Sequence, residues 1–100
     1  MGAGFLEKVY ENTLAIELRK ADLEVEQQKK TNVKCEGDVV GDYIADFVVN
    51  KSVLLEIKAT KSIDKVHQAQ LLNYLKATGL RVGLVLNFGA SRLGIKRVVL

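Results

Sequence analysis

The stretch 45-ADFVVNKSVLLEIKA-59 decides how this chain is read. Two aliphatic, β-branched segments flank a polar turn, the pattern of a β-hairpin. Each segment also carries charge where a strand buried in a small domain has none: Asp46 in the first, Glu56 and Lys58 in the second. The parity of the turn determines where those charges emerge. With Asn50, Lys51 and Ser52 as the loop, Val49 lies opposite Val53, Phe47 opposite Leu55, Ala45 opposite Ile57, and Asp46 opposite Glu56. Opposed residues of an antiparallel ladder point to the same side of the sheet. Ala45, Phe47, Val49, Val53, Leu55 and Ile57 therefore form one apolar face, and Asp46, Glu56 and Lys58 emerge together on the other. A two-residue loop would send Asp46 and Glu56 to opposite faces and dissolve the cluster.

Directly opposed residues have Cβ atoms about 5 Å apart, so two carboxylates in this register repel unless a cation lies between them. A hard divalent ion such as Mg²⁺ or Mn²⁺ suits them, because it is held by few carboxylates together with water and substrate phosphate. Lys58, two residues beyond Glu56 on the same face, is placed to position a water or to steady negative charge on a phosphate. The competing reading is a solvated salt-bridge cluster. Val48 and Leu54 share this face and argue against full exposure.

Outward from the hairpin, the chain reads as helix, three strands, helix, strand, strand. Residues 5–20 form a helix, with Leu6, Val9, Tyr10, Leu14 and Leu18 at helical spacing. The run from Glu24 to Cys35 alternates and reads as a long strand near an edge. Gly41, inside the next strand, hints at a bulge. Asp64 or Ser62 caps a second helix, and Gly79 suits the left-handed position past its end. On that helix His67, Gln70, Leu71, Tyr74 and Thr78 form a largely polar stripe able to line a phosphate-bearing cleft. Val66, Ala69, Leu72 and Leu75 supply an opposite apolar face. The run 81-RVGLVLNFG-89 is a nearly unbroken apolar strand of the kind covered on both faces, and the turn 89-GASRLG-94 leads to a last strand near 95–100. On the first helix Glu7 and Glu11 are four apart, and either can complete a three-carboxylate site or be ordinary surface charge.

The 100 residues, nearly half apolar and about a quarter charged, suit a single soluble domain, 1–100. No apolar run nears the roughly 20 residues that cross a bilayer, and the N-terminus lacks the basic start and apolar region of a secretory signal. The lone Cys35 excludes an internal disulfide and any zinc site built on several cysteines, and is expected to be buried or half-buried. The simplest address is the cytoplasm. A net charge of +3 permits a polyanionic partner without demanding one. The turn 89–94 lacks the lysine and hydroxyl residue of a nucleotide-binding loop, and one histidine supports no Ser-His-Asp triad. An RNA-recognition sheet would need a pair of stacking aromatics; of Tyr43 and Phe47, the second is needed for the core.

Asp46, nine intervening residues, then Glu56-Ile57-Lys58 resembles the D…(D/E)xK core of the PD-(D/E)XK nuclease superfamily, and the element order is similar to its αβββαβ core. Gln70 to Tyr74, QLLNY, resembles the QxxxY motif of its exonuclease-like branches. Gly4, Glu7 and Tyr10 in GFLEKVY match the GxxExxY signature of small, largely uncharacterised prokaryotic proteins in that superfamily, and the later blocks LLNYLKATG and VGLVLNFG are similar as well. The resemblance implies a restriction-endonuclease-like α/β fold, an α+β sandwich with a mixed central sheet and a helix on each side. It implies metal ligation by Asp46, Glu56, the backbone carbonyl of Ile57 and an acidic helix residue at Glu7, with Mg²⁺ or Mn²⁺ as cofactor. It further implies a catalytic role for Lys58 and a supporting polar pair, Gln70 and Tyr74. Members usually carry another helical stretch ahead of the signature, and this chain starts almost at it; a homodimer is an open expectation.

The function so implied is a metal-dependent phosphodiesterase acting on DNA or RNA, with Lys61, Lys65 and His67 holding flanking phosphates. The alternatives are a catalytically silent nucleic-acid-binding module and a protein-interaction or dimerisation module on the same fold. The intact Asp46, Glu56 and Lys58 argue against the silent module.

Overall fold

A computed structural model describes residues 3–89 and 93–100; the expected turn at 89–94 and Arg92 within it fall largely outside the described residues. The chain folds as α1 (Ala3–Lys20), β1 (Val25–Cys35), β2 (Asp38–Val49), β3 (Val53–Lys58), α2 (Lys65–Thr78), β4 (Val82–Asn87) and β5 (Gly94–Val99). The strands make one sheet in the order β1-β2-β3-β4-β5. Only β3 and β4 run parallel, with α2 as the crossover between them; the other neighbours are antiparallel. No helix among the described residues is long and apolar enough to cross a membrane.

The turn predicted to decide the fold forms as expected. Val49 pairs with Val53, Val48 with Leu54 and Phe47 with Leu55, which leaves Asn50, Lys51 and Ser52 as the loop. Asn50 and Lys51 both adopt left-handed backbone, φ 51° and 55°. The Asn50 side chain accepts a hydrogen bond from the Glu24 N–H at 2.8 Å and ties the turn to the start of β1.

Each sheet face carries its own core. On the α1 side Phe47, Val49, Leu55, Ile57 and Leu86 are buried with Ala15, and Leu14 and Leu18 pack against them. On the α2 side the buried set is Tyr43, Ala45, Val48, Leu54, Val85, Leu71 and Leu75. The interior strand β4 is covered on both faces, as its unbroken apolar sequence predicts. Gly83 on this strand lets α2 sit close: a Cβ there would meet the Leu71 side chain at 2.9 Å. α2 begins with a capping box, in which the Asp64 side chain accepts from the Val66 and His67 N–H groups while His67 Nδ1 accepts from the Asp64 N–H. It ends at Gly79, whose φ is 76°.

Four expectations are corrected. Ala45 does not share the face of Phe47; with Tyr43 it joins the α2-side core. Strict alternation fails at Asp46, where the partner position on β1 is Gln28, held at φ 56°. The inward face of α2 is the one bearing Leu71 and Tyr74 as well as Leu75, while Val66 and Ala69 are exposed; the helix is rotated so that its supposed polar stripe meets the sheet. On α1, Leu6 and Val9 are exposed, and the inward stripe runs through Glu7, Tyr10, Glu11, Leu14, Ala15 and Leu18. Cys35 is exposed, because the β1–β2 hairpin runs past the helices that cover the rest of the sheet, and Val39 and Val40 are exposed with it. The bulge expected near Gly41 is present: Val33 pairs with Gly41 but Lys34 with Val39, so Val40 is the extra residue.

Candidate active site

The site lies where the β2–β3 hairpin opens. Its ladder stops at Phe47 and Leu55, and Asp46 is the next residue out. There the Asp46 Oδ2 accepts the Ile57 N–H at 2.7 Å, replacing a backbone rung with a side-chain one. Glu56, the residue after Leu55 on β3, turns toward the α2 side and accepts a hydrogen bond from the Tyr43 hydroxyl. Tyr43 is only 7% exposed, and its ring stacks on that of Tyr74 from α2.

Both carboxyls are held above their ordinary range, chiefly by burial. Burial is the main cause that pushes the Glu56 carboxyl up, and the Asp46 charge adds to it, to about 8 despite the Tyr43 hydroxyl and the Lys58 charge. The Asp46 carboxyl is also raised, mainly by burial; the Ile57 N–H opposes this, and the charge of Glu11 reinforces it. Lys58 draws both carboxylates back toward ionisation. The phenols of Tyr43 and Tyr74 are raised above their ordinary value, by burial first and then by Glu56.

The α1 side of the opening is carboxylate-lined too. Glu11 is 4% exposed. It accepts hydrogen bonds from Gln27 and, at 2.8 Å, from Gln28, and pairs with Lys8 at 3.0 Å. Gln28 also reaches toward Asp46 Oδ1 at 3.4 Å, so it stands between the two carboxylates. Glu7, one turn earlier, accepts the Ala59 N–H at 3.2 Å, just past Lys58.

The family model of the PD-(D/E)XK nuclease superfamily matches residues 1–98. The chain belongs to that superfamily. A solved structure described as the crystal structure of SSO0001 shares the fold at a TM-score of 0.75 and 21% identity, covering 96% of this chain and 50% of that one; this chain thus spans half the length of that relative. Among curated proteins no match is found. The superfamily is one of nucleases, whose members generally use divalent metal ions.

The residues at the hairpin opening fit such an ion. The donors are hard oxygens, and Mg²⁺-like ions are usually held by only one or two carboxylates with water and substrate completing the shell. Burial raises both carboxyls first; the Asp46 charge then raises Glu56, and the Glu11 charge raises Asp46, so a cation placed among them would favour their ionised forms. Among the described residues no group of three or more His, Cys, Asp or Glu converges into a protein-only metal cage.

Of the other sequence-predicted residues of this superfamily member, the structure brings Tyr74 to the site through Tyr43. Lys58 is half-buried beside the carboxylates. Gln70 is exposed on α2, and Lys61 and Lys65 are exposed on the segment leading into it. His67 spends its Nδ1 on the helix cap. Sequence reasoning passed over Tyr43, Gln28 and Asn87. Asn87 is buried, and its side chain makes two hydrogen bonds with the Thr60 backbone and one with the Gly89 N–H. A polar residue ending the apolar run of β4 was the available signal for it; Tyr43 and Gln28 carried none beyond strand alternation.

Proposed function

We propose that this chain is a nuclease: a phosphodiesterase, dependent on Mg²⁺ or Mn²⁺, of the GxxExxY branch of the superfamily. One observation carries the reading. Asp46 and Glu56 lie together at the opened end of the hairpin, next to Lys58, where Asp46 replaces a ladder rung at Ile57 and Glu56 is held by Tyr43. Asp46, Glu56 and the Ile57 carbonyl would hold the ion, with Glu7 or Glu11 of α1 at its far side. When bound, it would polarise the scissile phosphate and make water a stronger nucleophile. Lys58 stabilises charge developing on the phosphate. Lys61 and Lys65 hold flanking phosphates, whereas Gln70 and His67 border the path at the start of α2. A carboxyl raised as far as Glu56 would take up an ion in exchange for a proton, so binding tightens with pH.

The signature residues support the branch assignment. Glu7 anchors the backbone at the end of β3 through Ala59. Tyr10 stacks on Phe88 at the end of β4, ring centroids 4.5 Å apart. GxxExxY thereby clamps α1 over the two parallel strands whose ends carry the site.

The test is cleavage of plasmid, single- and double-stranded oligonucleotides and structured RNA with Mg²⁺, Mn²⁺ or EDTA, for the wild type, Glu56→Ala and Lys58→Ala. Metal-dependent cutting lost in both variants establishes the activity. No cutting on any substrate, with no Mn²⁺ bound at millimolar concentration, sinks it in favour of a binding module. The outer face of α1, where Phe5, Leu6, Val9 and Ile16 are exposed, favours the homodimer, and sedimentation of wild type against Val9→Lys decides it.

A further inference from the structure

We propose that Tyr43 is a positioning residue for the metal-binding carboxylate of Glu56, and that Tyr74 acts through it as the platform that holds its ring. The inference deepens the metal-dependent reading above and rests on it.

The terminal torsion of a glutamate side chain is broad and roughly two-fold, so a carboxylate at the end of β3 is free to rotate unless one oxygen is held. The Tyr43 hydroxyl donates to Oε1 of Glu56, which fixes the plane of the group and the direction of Oε2. The donor itself is immobile. Tyr43 is buried in the α2-side core among Ala45, Leu54 and Leu71, and its ring lies against Tyr74 with 14° between the planes. Tyr43 reaches that core only because β2 breaks its alternation at Asp46. With strict parity it would face α1 beside Phe47, on the far side of the sheet from Glu56. The distortion that turns Asp46 into the opening is thus the same one that delivers the phenol to Glu56.

Small divalent ions demand near-ideal geometry, and partners that orient a ligand typically matter 10–100-fold in metal affinity. Tyr74 makes no hydrogen bond through its hydroxyl among the described residues. Its backbone carbonyl accepts from Thr78 instead, so the ring, not the phenol oxygen, is what it offers the site. The QxxxY tyrosine therefore supports a metal ligand at one remove, and substrate contact is not needed to explain it.

The experiment compares wild type, Tyr43→Phe, Tyr74→Phe and Tyr74→Leu by Mn²⁺ calorimetry, by melting temperature, and by the Cδ carbon resonance of Glu56 in the metal-free protein. Tyr43→Phe keeps the ring and the stack, so it should melt within a few degrees of wild type. It should shift the Glu56 resonance and weaken Mn²⁺ about ten-fold or more. Tyr74→Leu should move both readouts the same way, and Tyr74→Phe should leave Mn²⁺ affinity at the wild-type value. If wild type binds Mn²⁺ and Tyr43→Phe binds it equally well, or leaves the resonance unmoved, the inference falls and the metal site stands. If Tyr74→Leu has no effect, the platform role is overturned. If wild type binds no Mn²⁺ at millimolar concentration, the metal reading fails and takes this inference with it.

Discussion

The two ends of the β2–β3 hairpin are built from similar strands and behave oppositely. At the turn, three consecutive pairs close the ladder and every side chain from Phe47 to Val49 is buried in one core or the other. One residue further from the turn the ladder has stopped, a side chain substitutes for a rung, and ionisable groups enter the sheet. The closed end supplies rigidity from apolar burial, and the open end uses that rigidity to hold charges that would otherwise separate. The candidate site occupies the place where pairing is given up, and the adjacent pairing holds it in shape.

The sharpest way to break the comparison is to strip the open end while leaving the closed end intact. Glu56→Ala or Lys58→Ala should lower metal-dependent cleavage by about 10³-fold, as loss of a group that stabilises developing charge does. Melting temperature should stay near that of wild type. Phe47→Ala, at the closed end and fully buried, should cost about 3–5 kcal/mol in denaturant unfolding, and both ends should fail together.

A third measurement concerns the open end without metal. The Glu56 carboxyl is raised from its ordinary 4.5 to about 8, so the folded state holds a proton that the unfolded chain releases earlier. The stability this confers is complete below about pH 4.5 and is lost as pH rises toward 8, by at most about 1.4 kcal/mol per pH unit. Urea midpoints in EDTA should fall across that window, and Glu56→Gln should flatten the fall. The smallest effect belongs to the turn itself. Asn50→Ala removes the acceptor for the Glu24 N–H and a residue suited to φ 51°, and should cost about 1 kcal/mol in the same unfolding experiment, with cleavage unaffected.

Much of this was legible because the turn has a parity. Once Asn50, Lys51 and Ser52 form the loop, Val49 must face Val53 and Phe47 must face Leu55, and the register bears this out; the ladder ends before it reaches Asp46 and Glu56. The order of elements followed from the same apolar runs, whereas which strands pair in parallel did not. What could not be read was rotation. Alternation places Ala45 and Tyr43 with Phe47, but they join the α2-side core, and the break coincides with a left-handed Gln28 on the neighbouring strand, a conformation that glutamine gives no notice of. The choice between Glu7 and Glu11 depends on how far α1 is turned about its axis. The signature singles out Glu7, which meets backbone, while the charge of Glu11 reaches Asp46. On α2 the same ambiguity hid Leu71 in a stripe read as polar and made a cap of His67.

Asn87 has a bearing on the motion of the site. Where the parallel ladder ends at Lys58 and Asn87, its amide bonds both the N–H and the carbonyl of Thr60, and a Cβ at Gly89 would run into the same Thr60 backbone. A segment that belongs to no strand is therefore fastened like one. In hydrogen exchange the Thr60 amide should be protected on the timescale of the central strands, with its neighbours in 61–63 exchanging quickly. Opening of the loop beside Lys58 would then be coupled to opening of the sheet, which would leave Lys58 with little independent freedom.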